Sequence, residues 1–172
     1  MARVFYCHGW AGSSQSDKVA ALRASGLEVD AVDIDYRALD LKALSNLAKH
    51  ADVIVGSSLG GWVAAKLSQM TKVSAVLINP SCNPRQSLVK YNQLTPEQLE
   101  QFSPIVTDFE TPTVVLLATD DEVIDPAIAQ GLFTGKCGVY TVENAGHRFT
   151  DHATIVHHVN SLVDSFISHD NC

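Results

Sequence analysis

Short apolar runs alternate with amphipathic stretches along most of the chain. The apolar runs have the length of buried strands, and they cover residues 3–7, 27–34, 52–56, 73–78, 113–118 and 138–142. Between them the apolar positions recur with helical spacing, which predicts helices over 16–25, 39–50, 59–70, 126–133 and 152–167. Strands that are apolar throughout are buried on both faces. The pattern therefore predicts an α/β fold with a mostly parallel sheet and helices on both sides.

One segment, residues 81–111, interrupts this alternation. It has little apolar periodicity and contains prolines at positions 84, 96 and 104. Thr95 directly precedes Pro96, which predicts a short helix with Thr95 as its N-cap. Long irregular insertions in compact domains are usually functional or mobile, so we expect a small lid over the functional face. The alternative is a surface excursion without a role. In either case residues 1–172 are expected to form a single domain.

The composition narrows the class of partner. The 172 residues include 12 basic and 19 acidic side chains, a net charge of −7, and the basic residues form no cluster. This balance argues against nucleic acid or an anionic membrane and favours a small molecule. No apolar run approaches the roughly 18 residues of a membrane span. The N-terminal strand comes too early for a secretory signal, so we expect a cytoplasmic protein.

Neither the cysteines nor the clustered histidines have the spacing of a metal site. The cysteines stand at positions 7, 82, 137 and 172 and form no Cys-x-x-Cys pair. Cys7 and Cys137 lie in or beside predicted strands, as small core residues do, and free thiols suit a reducing compartment. The histidines at 152, 157, 158 and 169 lie on the polar side of the last predicted helix, where we expect a solvated face.

The strongest chemical signal is the sequence Gly-Ser-Ser-Leu-Gly at residues 56–60. It directly follows an apolar run and opens the predicted helix over 59–70. Gly-x-Ser-x-Gly between a strand and a helix is the form of a nucleophile elbow, in which the glycines relieve crowding at a strained turn. Chance alone produces the pattern in roughly one chain in twenty of this length. Ser58 therefore needs partners before it can be assigned as a nucleophile.

A base for Ser58 is available after the last predicted strand. A serine hydroxyl becomes a good nucleophile only when a base removes its proton. His147 follows that strand and a turn containing Gly146, and it is the best placed of the seven histidines. In elbow hydrolases the chain order is serine, acid, histidine, and this chain offers carboxylates between the two.

The acid that would orient His147 is ambiguous, because four carboxylates crowd the loop after the strand 113–118. Asp121 is the preferred candidate. Asp120 lies closest to the strand, and Asp125 precedes Pro126 in the manner of a helix cap. Any of these groups could accept the second N–H of a histidine. Asp120, Asp125 and Glu122 therefore stay open as alternatives.

Two backbone N–H groups are candidates for stabilising an oxyanion. One belongs to Leu59, at the start of the helix that follows Ser58, where the helix dipole also helps. The other belongs to Trp10, in the loop after the first strand, and its indole could wall an acyl pocket. The alternative interpretation of His8 and Gly9, which precede Trp10, is an ordinary glycine turn.

Several segments together resemble the α/β-hydrolase superfamily, and within it the small bacterial YqiA-like esterases. The segments are His-Gly-Trp at 8–10, Gly-Ser-Ser-Leu-Gly-Gly at 56–61, Asn-Pro at 79–80, Asp-Glu-Val-Ile-Asp at 121–125 and Gly-His-Arg-Phe at 146–149. The resemblance spans nearly the whole chain and implies Ser58 as nucleophile, Asp121 as acid and His147 as base. It also implies an α/β-hydrolase fold and an esterase that needs no cofactor or metal.

The chain departs from the superfamily pattern in three respects. The first strand predicted carries His8-Gly9, so we expect no counterpart of the superfamily's first hairpin. Ala118 stands where a glycine often precedes the acid, and residues 81–111 match no family motif. The expected function is a serine esterase that cleaves acyl esters through an acyl-enzyme. A thioesterase with the same triad, and a non-catalytic binding protein that keeps the fold, are the alternatives.

Overall fold

A parallel sheet of six strands forms the centre of the structure. The computed structural model describes residues 1–90 and 93–169, with side chains up to residue 165. The strands are β1 (Arg3–Cys7), β2 (Glu28–Ala31), β3 (Val53–Ser57), β4 (Ser74–Ile78), β5 (Thr113–Ala118) and β6 (Gly138–Val142). They lie in the order β2-β1-β3-β4-β5-β6, and every pairing is parallel. The predicted α/β fold is therefore confirmed.

Helices cover both faces of the sheet. They are α1 (Asp17–Ala24), α2 (Leu41–Ala48), α3 (Leu59–Thr71), α4 (Pro84–Val89), α5 (Pro96–Glu100), α6 (Pro126–Phe133) and α7 (His152–His169). One apolar core contains buried residues of α1 and α7, and the other contains those of α2, α3 and α6. No helix in the described ranges is long and apolar enough to cross a membrane.

Polar side chains determine where several helices begin. Ser16, Asp40 and Asp125 are the N-caps of α1, α2 and α6, and each accepts a hydrogen bond from a backbone N–H in the first turn. Thr95 caps α5 in a capping box with Gln98, as the sequence predicts for this position. The cap role of Asp125 removes one of the four acids from consideration as a partner of the histidine.

The second strand is shorter than predicted. The apolar pattern predicts a strand over 27–34, but β2 ends at Ala31, where its pairing with β1 also ends. The chain then turns toward the site, and the N–H of Ile34 donates to Nε2 of His8 at 2.8 Å. Leu47 of α2 is 53% exposed, although it is one of the apolar positions whose spacing predicts that helix.

The insertion over 81–111 packs against α3 more firmly than its weak periodicity suggests. Phe102 is fully buried, and its ring lies 5.1 Å from that of Trp62. The indole N–H of Trp62 donates to the carbonyl of Ser103 at 2.7 Å. Residues 91–92 of the insertion lie outside the described residues. The described part is anchored on the same face of the sheet as α3.

Three of the cysteines are described, and all three are free thiols. Cys7 and Cys82 are buried, and Cys137 is half-buried. Burial raises the pKa of Cys82 and of Cys137 to about 11. These thiols are therefore small core groups, as predicted, rather than reactive ones. Cys172 lies outside the described residues.

The strand order creates a crevice at the carboxyl end of the sheet. From β1 the chain moves to the edge strand β2 and then returns to the other side of β1 as β3. The connections after β1 and β3 therefore leave in opposite directions. Ligands of open α/β sheets bind at such a switch point. The loop after β1 and the turn after β3 carry residues 8–10 and Ser58.

Two glycines allow α3 to begin directly against the sheet. A Cβ on Gly60 would lie 2.1 Å from the carbonyl oxygen of Cys7, and one on Gly56 would lie 2.0 Å from the oxygen of Gly60. Both distances are far below van der Waals contact with rigid backbone. The close approach joins the end of β1 to the first turn of α3, so only glycine fits at either position.

We expect Gly60→Ala to destabilise the fold by about 2–4 kcal/mol, because its Cβ must push α3 away from β1. Gly131→Ala is the matched control, since nothing lies within 4 Å of a Cβ there. Gly131 lies inside α6, so alanine should be neutral or stabilise by about 0.5–1 kcal/mol. Urea unfolding monitored by circular dichroism measures both changes. Equal stabilities of the two variants would contradict the proposed role of the contact.

Candidate active site

Ser58 occupies a strained turn between β3 and α3. Its backbone has φ 58° and ψ −121°, a region that non-glycine residues avoid at a cost of about 1–3 kcal/mol. Hydrogen bonds hold the turn on both sides. The N–H of Ser58 donates to the carbonyl of Ile78 at 2.9 Å, and its own carbonyl accepts from Gly61 and Ser81 at 2.9 and 3.0 Å. The strand-turn-helix form predicted from the motif is present.

His147 lies between Ser58 and Asp121. Its Nε2 is 3.1 Å from Oγ of Ser58, and its Nδ1 is 2.9 Å from each carboxylate oxygen of Asp121. The Asp121 side chain is 1% exposed, whereas that of His147 is 18% exposed. The three side chains come from loops after β3, β5 and β6. The structure thus brings His147 together with two residues that lie 26 and 89 positions before it in the sequence.

The four crowded carboxylates have separate partners. Asp120 accepts from the backbone N–H groups of Ala145 and Gly146 at 3.1 and 3.0 Å, so it holds the backbone of the histidine loop. Asp121 is the only one of the four whose hydrogen bonds reach the imidazole among the contacts of the described residues. Its Oδ1 also accepts from the N–H groups of residues 123 and 124, which orient the carboxylate.

Glu122 binds the backbone of the histidine rather than its ring. Its Oε2 accepts from the N–H of His147 at 3.0 Å. Hydrogen bonds from its own N–H and from that of His147 lower the pKa of the Glu122 carboxyl. Glu122 and Asp120 together hold consecutive N–H groups of one loop.

Asn79 is a site residue whose role was missed by sequence reasoning. It is 2% exposed and follows β4 with φ 41°. Its Nδ2 donates to the carbonyls of Gly146 and His147 at 3.1 and 3.0 Å, and its Oδ1 accepts from the N–H of Ala118 at 2.8 Å. One amide therefore joins the ends of β4 and β5 to the histidine loop. The available signal was an amide directly after a fully apolar strand, where a polar side chain must find partners.

The loop after β1 lies against the serine. A Cβ on Gly9 would lie 3.3 Å from Cβ of Ser58 and 3.7 Å from its Oγ. Trp10 follows Gly9, and Leu59 is the first residue of α3, where N–H groups have no acceptor within the helix. Trp10, Leu59 and Ser58 line one cleft.

His8 is buried and helps to fix the conformation of this loop through hydrogen bonds. It is 4% exposed, and because its Nε2 accepts from Ile34, its Nδ1 carries the proton and donates to the carbonyl of Gly9 at 2.6 Å. The hydroxyl of Tyr36 donates to the carbonyl of His8, and the Tyr36 ring stacks on Trp10 with 5.8 Å between centroids. Residues 8–10 therefore form a loop whose conformation is held by hydrogen bonds and by the stacking of Trp10 on Tyr36.

The cleft above Ser58 has a volume of about 660 Å³. Its apolar lining includes Trp10, Leu88, Val123 and Ile124, with Leu88 contributed by the insertion. Such a cavity holds a small organic ligand and buries an apolar part of it.

The histidines of α7 do not all lie on a solvated face. His158 is half-buried, and its ring lies 4.2 Å from that of Tyr140 and 5.1 Å from that of His157. Burial lowers the pKa of His158, and the neighbouring His157 lowers it further. The expectation of a wholly solvated face is wrong for this residue. Within the described part of the chain, no three His, Cys, Asp or Glu residues are grouped so as to hold a metal ion.

Proteins of known structure share this architecture. A Xanthomonas campestris protein assigned to the alpha/beta hydrolase superfamily is 21% identical, with a TM-score of 0.68 over 98% of this chain and 99% of that one. A thermophilic esterase from Thermogutta terrifontis is 14% identical, with a TM-score of 0.68 over 96% and 90%. At these identities the likeness shows the fold, which is that of the α/β hydrolases.

Sequence comparison identifies the family. The UPF0227 protein YE1706 of Yersinia enterocolitica is 23% identical over 164 residues, which cover 86% of this chain and 91% of that protein. A family model described as "Uncharacterised protein family (UPF0227)" matches residues 3–166. Because that match covers nearly the whole sequence, the chain belongs to the UPF0227 family.

Proposed function

We propose that the protein is a serine esterase that hydrolyses carboxylic esters. The observation that carries this proposal is the continuous hydrogen-bonded chain from Ser58 Oγ through the His147 ring to the Asp121 carboxylate. A nucleophile, a base within hydrogen-bond reach and a third group that orients the base are the signature of an activated hydroxyl. The strained turn at Ser58 and the fold of known esterases support the same conclusion.

In the proposed reaction, His147 Nε2 removes the proton of Ser58 Oγ as the oxygen attacks the acyl carbonyl carbon. Asp121 accepts the hydrogen bond of the Nδ1 proton, which holds the tautomer whose Nε2 lone pair faces the serine. It stays ionised and stabilises the imidazolium that forms. His147 then donates its new proton to the leaving oxygen, and the carbonyl re-forms as the acyl-enzyme.

Water completes the cycle. His147 takes a proton from the water as it attacks the acyl-enzyme, and returns that proton to Ser58 Oγ when the acid leaves. In both steps the carbonyl oxygen becomes negative. We assign its stabilisation to the backbone N–H groups of Leu59 and Trp10, which belong to the two segments that approach Ser58 from α3 and β1.

The cleft supports an acyl substrate. Its apolar walls suit a hydrocarbon chain, and Leu88 and Ser87 line it from the insertion over 81–111. We therefore assign that segment as a lid within a single domain of residues 1–172. An acyl thioester would use the same machinery, since only the leaving atom differs. The kinetic test of Ser58→Ala therefore uses both an oxygen ester and a thioester.

Ser58→Ala is expected to lower kcat/KM on 4-nitrophenyl butyrate by at least about 10³-fold, because no other group can form the acyl-enzyme. Steady-state kinetics with this ester and with a butyryl thioester measure the loss. Ser161→Ala is the matched control. Its exposed hydroxyl donates to the carbonyl of His157, outside the residues that line the cleft, and activity should be retained. A fluorophosphonate should label the unaltered protein and Ser161→Ala, but not Ser58→Ala.

Turnover that survives in Ser58→Ala would contradict the proposed mechanism. The absence of turnover and of labelling in the unaltered protein would favour a non-catalytic binding protein.

Asp121→Asn is expected to lower kcat by about 10⁴-fold, because an amide no longer selects the productive tautomer of His147. Asp120→Asn should stay within about tenfold of the unaltered protein, since its amide oxygen still accepts from two backbone N–H groups. Kinetics on 4-nitrophenyl butyrate compare the two, with thermal unfolding as the check on folding. A larger loss for Asp120→Asn than for Asp121→Asn would reverse the assignment of the acid.

A further inference from the structure

Two basic side chains, Lys18 and Arg148, line the cleft at Ser58 in a protein of net charge −7. No Asp or Glu of the described residues is among its lining side chains. The carboxylate of Asp121 lies behind the imidazole of His147, so the charged side chains that line the cleft itself are basic and suit an anionic ligand.

The two cations are held together on one wall. Lys18 lies in the first turn of α1, and its ammonium group donates to the backbone carbonyl of Arg148. Arg148 directly follows His147 in the chain. Lys18 is half-buried and Arg148 is exposed. Lys18 and Arg148 therefore line the cleft beside the loop that carries His147.

The cleft continues past the cations into a second hollow. This hollow has a volume of about 480 Å³ and shares Lys18 and Arg148 with the cleft. Ser13, Gln15 and Thr150 are among its other lining residues. A ligand that extends from Ser58 past the two cations thus enters polar surroundings, in contrast to the apolar wall around Leu88.

Burial lowers the pKa of the Lys18 ammonium, and the neighbouring Arg148 guanidinium lowers it further. Asp17, which lines the second hollow but not the cleft, raises the pKa of Lys18. The positive charges of Lys18 and Arg148 therefore repel each other, and the partial burial of Lys18 strengthens this repulsion. An anion bound between them would relieve that repulsion and accept hydrogen bonds from both groups.

Resting on the proposed esterase function, we propose that the substrate carries a carboxylate or phosphate on its leaving half, and that Lys18 and Arg148 bind this anion. The chemistry of the reaction indicates which half of the substrate carries the anion. His147 must deliver a proton to the leaving atom, so the leaving group lies toward the wall that carries Arg148. The acyl half then lies against the apolar wall.

Matched aryl esters test the proposal. The anionic substrate is the butyrate ester of (3-hydroxyphenyl)acetic acid, and the neutral one is the same ester with its carboxyl group methylated. Because the phenols have similar acidity, the ratio of their kcat/KM values reports recognition of the charge. We expect a ratio of at least about ten, which is the effect of one charge-assisted hydrogen bond. The ratio should fall as salt rises from about 0.02 to 0.5 M.

The corresponding ester of 3-hydroxybenzylphosphonic acid distinguishes the two anions. A higher ratio for the phosphonate would assign a phosphate, and a higher ratio for the carboxylate would assign a carboxylic acid. Phenyl hydrogen adipate and phenyl methyl adipate place the same charge difference on the acyl half. A preference for the anionic adipate alone would overturn the assignment to the leaving half.

The double variant Lys18→Met/Arg148→Met should reduce the ratio to about one. Lys42→Met/Lys136→Met removes two exposed cations that do not line the cleft, so it controls for net charge and should keep the ratio. If the double variant does not fold, the single variants Lys18→Met and Arg148→Met provide the test, because each removes one of the two cations and should lower the ratio. Fluorophosphonate labelling counts intact sites in every variant.

Failure of this proposal is distinct from failure of the esterase assignment. Ester hydrolysis that depends on Ser58 with a ratio near one would overturn the anion site and leave the esterase intact. A high ratio that survives in Lys18→Met/Arg148→Met would also overturn the role of the two cations. Hydrolysis that is unaffected by Ser58→Ala would overturn the catalytic mechanism itself.

Discussion

The contact between Gly60 and the carbonyl of Cys7 determines the geometry of the whole site. At this point the first turn of α3 lies against the end of β1 with no room for a Cβ. The contact brings the loop after β1 next to the turn after β3, so that Gly9 lies against Ser58. The two candidate oxyanion donors belong to these two segments. Any residue larger than glycine would separate them, even if every catalytic side chain were kept.

Hydrogen bonds from side chains to the main chain organise the loop that carries His147. Asn79, Asp120 and Glu122 bind backbone atoms of residues 145–147, whereas Asp121 binds the imidazole ring on the side opposite Ser58. This division explains why so many polar groups surround one histidine. Most of them replace the regular hydrogen bonds that a loop at the end of a strand lacks, and one orients the ring.

The elements that sequence reasoning predicted well depend on local signals. Strands β5 and β6 and helix α6 have the predicted bounds, and the motif at 56–60 specifies the turn at Ser58 because its glycines have local geometric causes. The features that it missed depend on contacts between distant residues. β2 is shortened where Ile34 pairs with His8, and the insertion is anchored by Trp62 and Ser103. No periodicity in the chain reports such contacts. Sequence reasoning preferred Asp121 but left its neighbours open, and the hydrogen bonds that each carboxylate makes distinguish it from them.

Among the described residues, the hydrogen bonds that Asn79, Asp120 and Glu122 make to the loop carrying His147 go to main-chain atoms. Asn79 accepts from one backbone N–H and donates to two carbonyls, while Asp120 and Glu122 accept from three more N–H groups. The position of His147 is thus largely indifferent to which side chains its neighbours carry. Under the proposed function, the residue at 148 could be exchanged to suit a new substrate while the ring of His147 keeps its position. Substrate preference and proton transfer would then belong to adjacent residues of the sequence and could change separately in evolution.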